Sequence, residues 1–193
     1  MGARQDRADP RPRLSAVRAA RLADAAAIAR VHVAAWLETY PGLLPAELIA
    51  SYTFELRERQ WRARLGDATF AREDDESVPP VAYVALDGEE IVGFAVGGPN
   101  RGEPRTFPGE LFALYLLQRV QGRGVGHALF VRLRDTLRTR GLTPFVLWVV
   151  ESNPACAFYE REGGRHFTTQ PAEVHDVHFI ERGYAFDEPV RGE

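Results

Sequence analysis

Apolar residues recur along this chain in two alternating periods. Between Ala25 and Leu37, Ile28, Val31, Ala35 and Trp36 fall three or four apart, the spacing that lines one face of a helix. Asp24 stands where an N-cap would. Tyr40-Pro41-Gly42 breaks this helix, Pro45 to Tyr52 predicts a short one, and Phe54 to Leu65 predicts an amphipathic one that Gly66 ends. Leu14 to Ala19 reads as a first strand. Val81 to Leu86 and Ile91 to Val96, joined around Asp87-Gly88, read as a β-hairpin, and Gly97 to Gly109 as a long loop. Leu111 to Leu117 predicts a buried fourth strand. Val125, Leu129, Phe130, Leu133 and Leu137 then repeat at helical spacing up to Gly141, with Arg132, Arg134, Arg138 and Arg140 toward solvent. Phe145 to Val150 predicts a fifth strand, and Pro154 to Glu162 a helix stopped by Gly163-Gly164. Arg165 to Thr169 and His175 to Glu181 supply two final strands. This order predicts a mixed α/β sheet with helices on both faces.

Between the fourth strand and its helix lies Gln121-Gly122-Arg123-Gly124-Val125-Gly126. A helix opening directly from a glycine turn offers several unpaired N–H groups and the positive end of its dipole, which suits a phosphate or pyrophosphate. A P-loop would need Lys before Ser or Thr, and the chain contains no lysine. A dinucleotide fingerprint would place an acid about 20 residues on, but the next strand carries none until Glu151. A plain strand-to-helix turn stays open on this loop alone.

The pattern Gln121-x-x-Gly124-x-Gly126 resembles the pyrophosphate loop of the GNAT acyltransferase superfamily, and Trp148 to Arg165 is similar to that superfamily's last core strand and following helix. Glu110-Leu111-x-x-Leu114-Tyr115-Leu116 resembles its central strand, and Val31 to Pro45 a common branch of it. The resemblance spans roughly Leu14 to Ala185. It implies one GNAT-like domain over residues 14–193, with a mostly antiparallel sheet whose parallel strands four and five splay apart. It also implies acetyl-coenzyme A as co-substrate, with its pantetheine arm along Leu114, Tyr115 and Leu116. The pyrophosphate would lie on the amides of Gly122, Arg123, Gly124, Val125, Gly126 and His127, behind Gln121, with Asn153 helping to hold the cofactor. By the same resemblance Tyr159 gives a proton to the departing sulfur, Glu110 serves as general base, and the helix bearing His32, Trp36, Glu38 and Tyr40 borders the acceptor entrance. Many relatives have Pro where this chain has Gln118; its loss affects the stiffness of the strand exit.

Acetyl transfer to an amine needs a deprotonated nucleophile, a stabilised oxyanion and a proton for the thiolate. Glu110, the Leu116 N–H and Tyr159 are the candidates. The acceptor would be a small amine or a peptide N-terminus, attacking directly in a ternary complex. A coenzyme A-binding sensor without catalysis is the competing reading.

Composition adds limits. At 193 residues with 45% apolar and 26% charged residues, one well-buried core suffices. A net charge of −3 gives no bulk attraction to nucleic acid. The single Cys156 cannot form an internal disulfide, no apolar run reaches a membrane span of about 18 residues, and a cytoplasmic location is expected. Homodimerisation is left open. No histidine or cysteine spacing suggests a metal. Residues 1–13, rich in Arg, Asp and Pro, read as a flexible tail, and the acidic run Glu73 to Glu76 as a solvated loop.

Overall fold

Alternation along the central strands divides the core into two layers. Val81, Tyr83 and Ala85 face one side of the sheet and Ala82 and Val84 the other, and all five are buried, so the hairpin that carries them must be covered on both faces. The computed structural model describes residues 14–66, 80–102 and 106–187; the tail and the acidic run lie outside them.

The strands are β1 (Leu14–Ala19), β2 (Val81–Asp87), β3 (Glu90–Pro99), β4 (Gly109–Leu116), β5 (Phe145–Val150), β6 (Arg165–Val174) and β7 (Val177–Phe186). The helices are α1 (Ala25–Thr39), α2 (Ala46–Ala50), α3 (Phe54–Gly66), α4 (Val125–Thr139) and α5 (Ala155–Arg161). The sheet runs β1-β2-β3-β4-β5-β7-β6. Every neighbouring pair is antiparallel except β4 and β5. Helices α4 and α5 close one face through Val125, Leu129, Phe130, Leu133, Leu137 and Tyr159. Helices α1 and α3 close the other through Ala25, Ile28, Ala29, Val31 and Trp61.

The parallel pair positions the site. Strands β4 and β5 are in register only at Gly109–Phe145, Glu110–Val146 and Leu111–Leu147. Beyond Leu111 they diverge, leaving the β5-facing backbone edge of β4 without a strand partner.

Four local expectations are corrected. Gly97, Gly98 and Pro99 belong to β3 rather than to a loop: a Cβ on Gly97 would stand 2.8 Å from the Glu110 carbonyl oxygen, so glycine here marks close strand approach. The last two strands form one long hairpin turning at His175-Asp176, both at positive φ (49° and 62°). The β2–β3 turn centres on Gly88-Glu89, with Asp87 paired to Glu90. Asp24 precedes α1, but its carboxylate makes no cap bond to that helix. It accepts from the Arg18 guanidinium at 2.6 and 2.9 Å and from the Arg21 N–H at 2.8 Å.

Candidate active site

The glycine loop leads directly into α4, and its glycines differ in what requires them. Gly122 and Gly124 take φ of +70° and +79°, and no atom lies within 4 Å of a Cβ built on either. Backbone handedness therefore requires glycine at both positions, not obstruction by a Cβ. Gly126 is the tight position: a Cβ there would meet Leu116 at 3.2 Å and Phe158 at 3.4 Å. Gly124 caps α4 in the left-handed conformation, no side chain caps the helix, and no acid lies in its first turn. The first intrahelical bond runs from the Ala128 N–H to the Gly124 carbonyl, 3.0 Å, so the amides of Val125, Gly126 and His127 have no partner inside the helix. The site fits a pyrophosphate. Arg123 is exposed beside it. The Gln121 side chain donates back to the Leu116 carbonyl at 3.4 Å and ties the loop to β4. His127 pairs with Glu162 at 2.9 Å, joining α4 to the end of α5.

Gln118 gives the strand exit a fastening that proline would forbid. Its N–H donates to the Glu38 carboxylate at 2.7 Å, linking β4 to α1. Glu38 is thereby occupied at the exit of β4.

Two phenols from distant segments meet on the β4 side of the sheet, and a third lies within electrostatic range of them. The hydroxyls of Tyr40 and Tyr115 lie 3.2 Å apart, and Tyr159 on α5 is buried within electrostatic range of Tyr40. Burial pushes the Tyr159 phenol well above its ordinary range, with Tyr40 adding to the effect. Burial likewise raises Tyr115, with Tyr40 and Tyr159 contributing, and raises Tyr40. All three therefore hold their protons at neutral pH. Asn153, buried at the end of β5, accepts the Ala155 N–H at 2.9 Å and hydrogen-bonds Tyr40. It fixes both the start of α5 and the phenol cluster. Leu114 and Leu116 pack against the α4 side of the core, bracketing Tyr115.

Cys156 packs its thiol on the carbonyls of Val150 and Glu151, at 3.8 and 3.6 Å. Among the described residues no group of His, Cys, Asp and Glu could hold a metal, and no helix is long and apolar enough to cross a membrane.

Helix α1 and the segment after it contribute a group of aromatic rings. Trp36 stacks on Tyr52 with centroids 3.6 Å apart and planes 5° off parallel, and contacts Tyr40 at 4.1 Å. Its buried indole N–H has no hydrogen-bond partner among the described residues. His32 sits deeper, enclosed by Tyr52, Trp61, Phe94 and Tyr115. The Trp61 N–H donates to its Nδ1 at 3.4 Å, which places the ring proton on Nε2. Burial, with the charges of Arg57 and Arg64, pushes His32 down to about 3.

That shift has a thermodynamic consequence. The unfolded chain protonates His32 near pH 6.5, but the folded chain resists until about pH 3. The contribution is complete above pH 6.5 and is lost as pH falls through that window, by at most about 1.4 kcal/mol per pH unit. Denaturant titrations at pH 7.5 and pH 5 should show the loss, and His32→Gln should flatten the slope. An equal slope in the variant would contradict a buried neutral ring.

An open cleft of about 340 Å³ is lined by Arg101, Gly102, Glu110, Trp148 and Gln170. Glu110 is 6% exposed. Arg101 holds it through its N–H at 3.0 Å, its Nε at 3.2 Å and a terminal nitrogen at 2.5 Å. Arg101 also lies over Phe112, 3.8 Å from the ring centroid. Glu181 on β7, in register with Val150, is a carboxylate that sequence reasoning missed. Burial lifts it above the ordinary carboxylate value and the charge of Glu110 adds to this, against a hydrogen bond from Gln170. No sequence motif marks it, because its neighbours come from β4 and β6.

A seven-stranded sheet that opens at its one parallel pair, beside a glycine loop leading into α4, is the fold of known acetyltransferases. The chain belongs to the GNAT acetyltransferase family, whose family model, described as Acetyltransferase (GNAT) family, matches residues 47–164. It is thus an acetyl-CoA-dependent acyltransferase. It is 31% identical over 167 residues to the uncharacterized N-acetyltransferase YuaI of Bacillus subtilis (strain 168), covering 86% of this chain and 90% of that protein. The fold is similar to the PaiA N-acetyltransferase of Thermoplasma acidophilum solved with coenzyme A, at TM-score 0.65 and 17% identity over 89% of this chain and 98% of that one. It is also similar to YncA of Salmonella typhimurium solved with acetyl-CoA, at TM-score 0.61 and 20% identity over 92% and 97%.

Proposed function

We propose that the chain acetylates a primary amine, on a small molecule or a peptide N-terminus, by direct attack within a ternary complex. The observation that carries this reading is the Tyr159 phenol, buried beside Tyr40 in the opened sheet and held protonated. Acetyl-CoA supplies an activated thioester when bound. The amides at the start of α4 bind its pyrophosphate, with Gln121 holding the loop, and the free edge of β4 at Leu114 to Leu116 pairs with its pantetheine arm. The Leu116 N–H is the candidate donor to the thioester oxygen.

Tyr159 keeps its proton until a strong base develops beside it, and then gives it to the departing sulfur. Glu110 accepts a proton from the acceptor ammonium through water, with Arg101 holding the carboxylate in place. Trp36 and Tyr40 form the acceptor wall, and His32 supports it from behind. Cys156, spent on two backbone carbonyls, has no part in the transfer.

Initial rates with both substrates varied test the order of events. Intersecting double-reciprocal lines are expected, and parallel lines would mean a covalent acyl-enzyme. Glu110→Gln should lower kcat/KM about tenfold and erase the acidic limb of the pH profile, below the usual scale for a general base because Arg101 already offsets the carboxylate. An intact limb would move the base to Glu181, the neighbouring carboxylate. A coenzyme A sensor without catalysis would bind acetyl-CoA and release no thiol with any amine.

A further inference from the structure

The C-terminal end of α1 is fastened to β4 and its exit at two points. One is the pair of hydroxyls of Tyr40 and Tyr115, 3.2 Å apart. The other is the Gln118 N–H, which donates to the Glu38 carboxylate at 2.7 Å, a short bond strengthened by the charge of its acceptor. A single tie leaves a helix free to pivot, whereas two ties offset along both elements fix its orientation as well. Leu116 and Leu117 lie between them, and the Leu117 N–H is held by the Val92 carbonyl of β3 at 3.0 Å. Leu116 belongs to the edge of β4 that β5 leaves unpaired. The backbone at the exit shows what the Gln118 N–H is for. Leu117 has φ −59° and ψ 138°, and Gln118 opens a single 3₁₀ turn, Gln118–Val120. Proline at position 118 fits these angles, because extended backbone suits the residue before proline and the first position of a helical turn needs no N–H. The course of the chain therefore does not depend on that N–H, and what it adds is the tie to α1.

We propose that Glu38 is a positioning residue that couples the two substrate sites, carrying occupancy of the donor strand β4 to the acceptor wall on α1. This rests on the transferase reading above and names the contact through which its two sites communicate. Linkage makes the effect reciprocal: a donor that orders the exit of β4 orders the end of α1, and an acceptor held by α1 tightens the donor by the same factor.

Hydrogen–deuterium exchange of the full chain, free and saturated with coenzyme A, tests the tie without turnover. Coenzyme A should slow amide exchange over residues 36–44 about fivefold, the scale of one hydrogen bond. Glu38→Ala and Gln118→Pro, which cut the bond from opposite ends, should each abolish the slowing, and the double variant should match either alone. Glu38→Gln, whose amide oxygen still accepts the bond, should retain most of it. Slowing that persists in Glu38→Ala or Gln118→Pro, no slowing in the unchanged protein, or no difference between Glu38→Gln and Glu38→Ala would overturn the proposal. Steady-state rates separate the two ideas. With an amine that supports thiol release, both single variants should raise the acceptor KM about fivefold with kcat little changed. An unchanged acceptor KM in both would overturn the coupling and keep the transferase, while no release with any amine, beside exchange data as expected, would do the reverse.

Discussion

Replacing Gly124 by Glu is expected to weaken coenzyme A binding about 100-fold with the fold retained. Gly124 caps α4 at φ +79°, a conformation that costs a side-chain-bearing residue about 1–2 kcal/mol. Turning the loop relieves that strain and swings its amides away from the phosphate position. The new carboxylate also meets the positive end of the helix and occupies it in place of the pyrophosphate, about 1 kcal/mol more. Together these amount to about 2–3 kcal/mol, or up to roughly two orders of magnitude in Kd. Nothing lies within 4 Å of a Cβ at this position, so the substitution does not collide with the core. Gly124→Ala separates the contributions by keeping the strain and omitting the charge, with about a tenfold loss expected. Calorimetry with coenzyme A measures both, and an unchanged Kd in Gly124→Glu would move the pyrophosphate away from this helix.

Tyr159→Phe should lower kcat by roughly 10- to 100-fold and leave coenzyme A affinity unchanged. The ring packs against Phe158 with centroids 5.2 Å apart and faces Tyr184 at 6.4 Å, contacts that phenylalanine preserves. Only the hydroxyl is lost. In the resting protein that phenol is buried and held protonated, so the variant isolates the proposed proton donation to the leaving sulfur. Single-turnover and steady-state rates, set beside calorimetric Kd values, check the prediction. Unchanged turnover would remove Tyr159 from the chemistry, and a parallel loss of affinity would make its role structural.

The parts of this protein that could be read in its sequence are those whose causes are local. Helix α4 follows from Leu129, Leu133 and Leu137 recurring at helical period, and its loop from glycines at alternate positions 122, 124 and 126. The β6–β7 hairpin was underestimated because His175-Asp176 adopts positive φ without glycine or asparagine to announce it. Gly97 and Gly98 misled in the opposite sense, since glycine also serves close packing within a sheet. Asp24 was read as a helix cap, but Arg18, six residues upstream, claims its carboxylate.

The acceptor side was the least legible. Arg101, Glu110, Trp148 and Gln170 come together only because three strands and a loop converge. Glu181 gains its raised carboxyl from burial and from Glu110, 71 positions away in a different strand, and no window of sequence contains both causes.

In the proposed reaction this opened sheet binds acetyl-CoA and its acetyl group passes directly to an amine. The most direct test is calorimetric titration of the purified chain with acetyl-CoA, followed in the same buffer by a thiol-release screen against pooled amines and short peptides. The expected result is one bound acetyl-CoA per chain and thiol release that depends on an amine in at least one pool. Binding with no release in any pool would contradict transfer, and absence of binding would contradict the site built on Gln121 to Gly126.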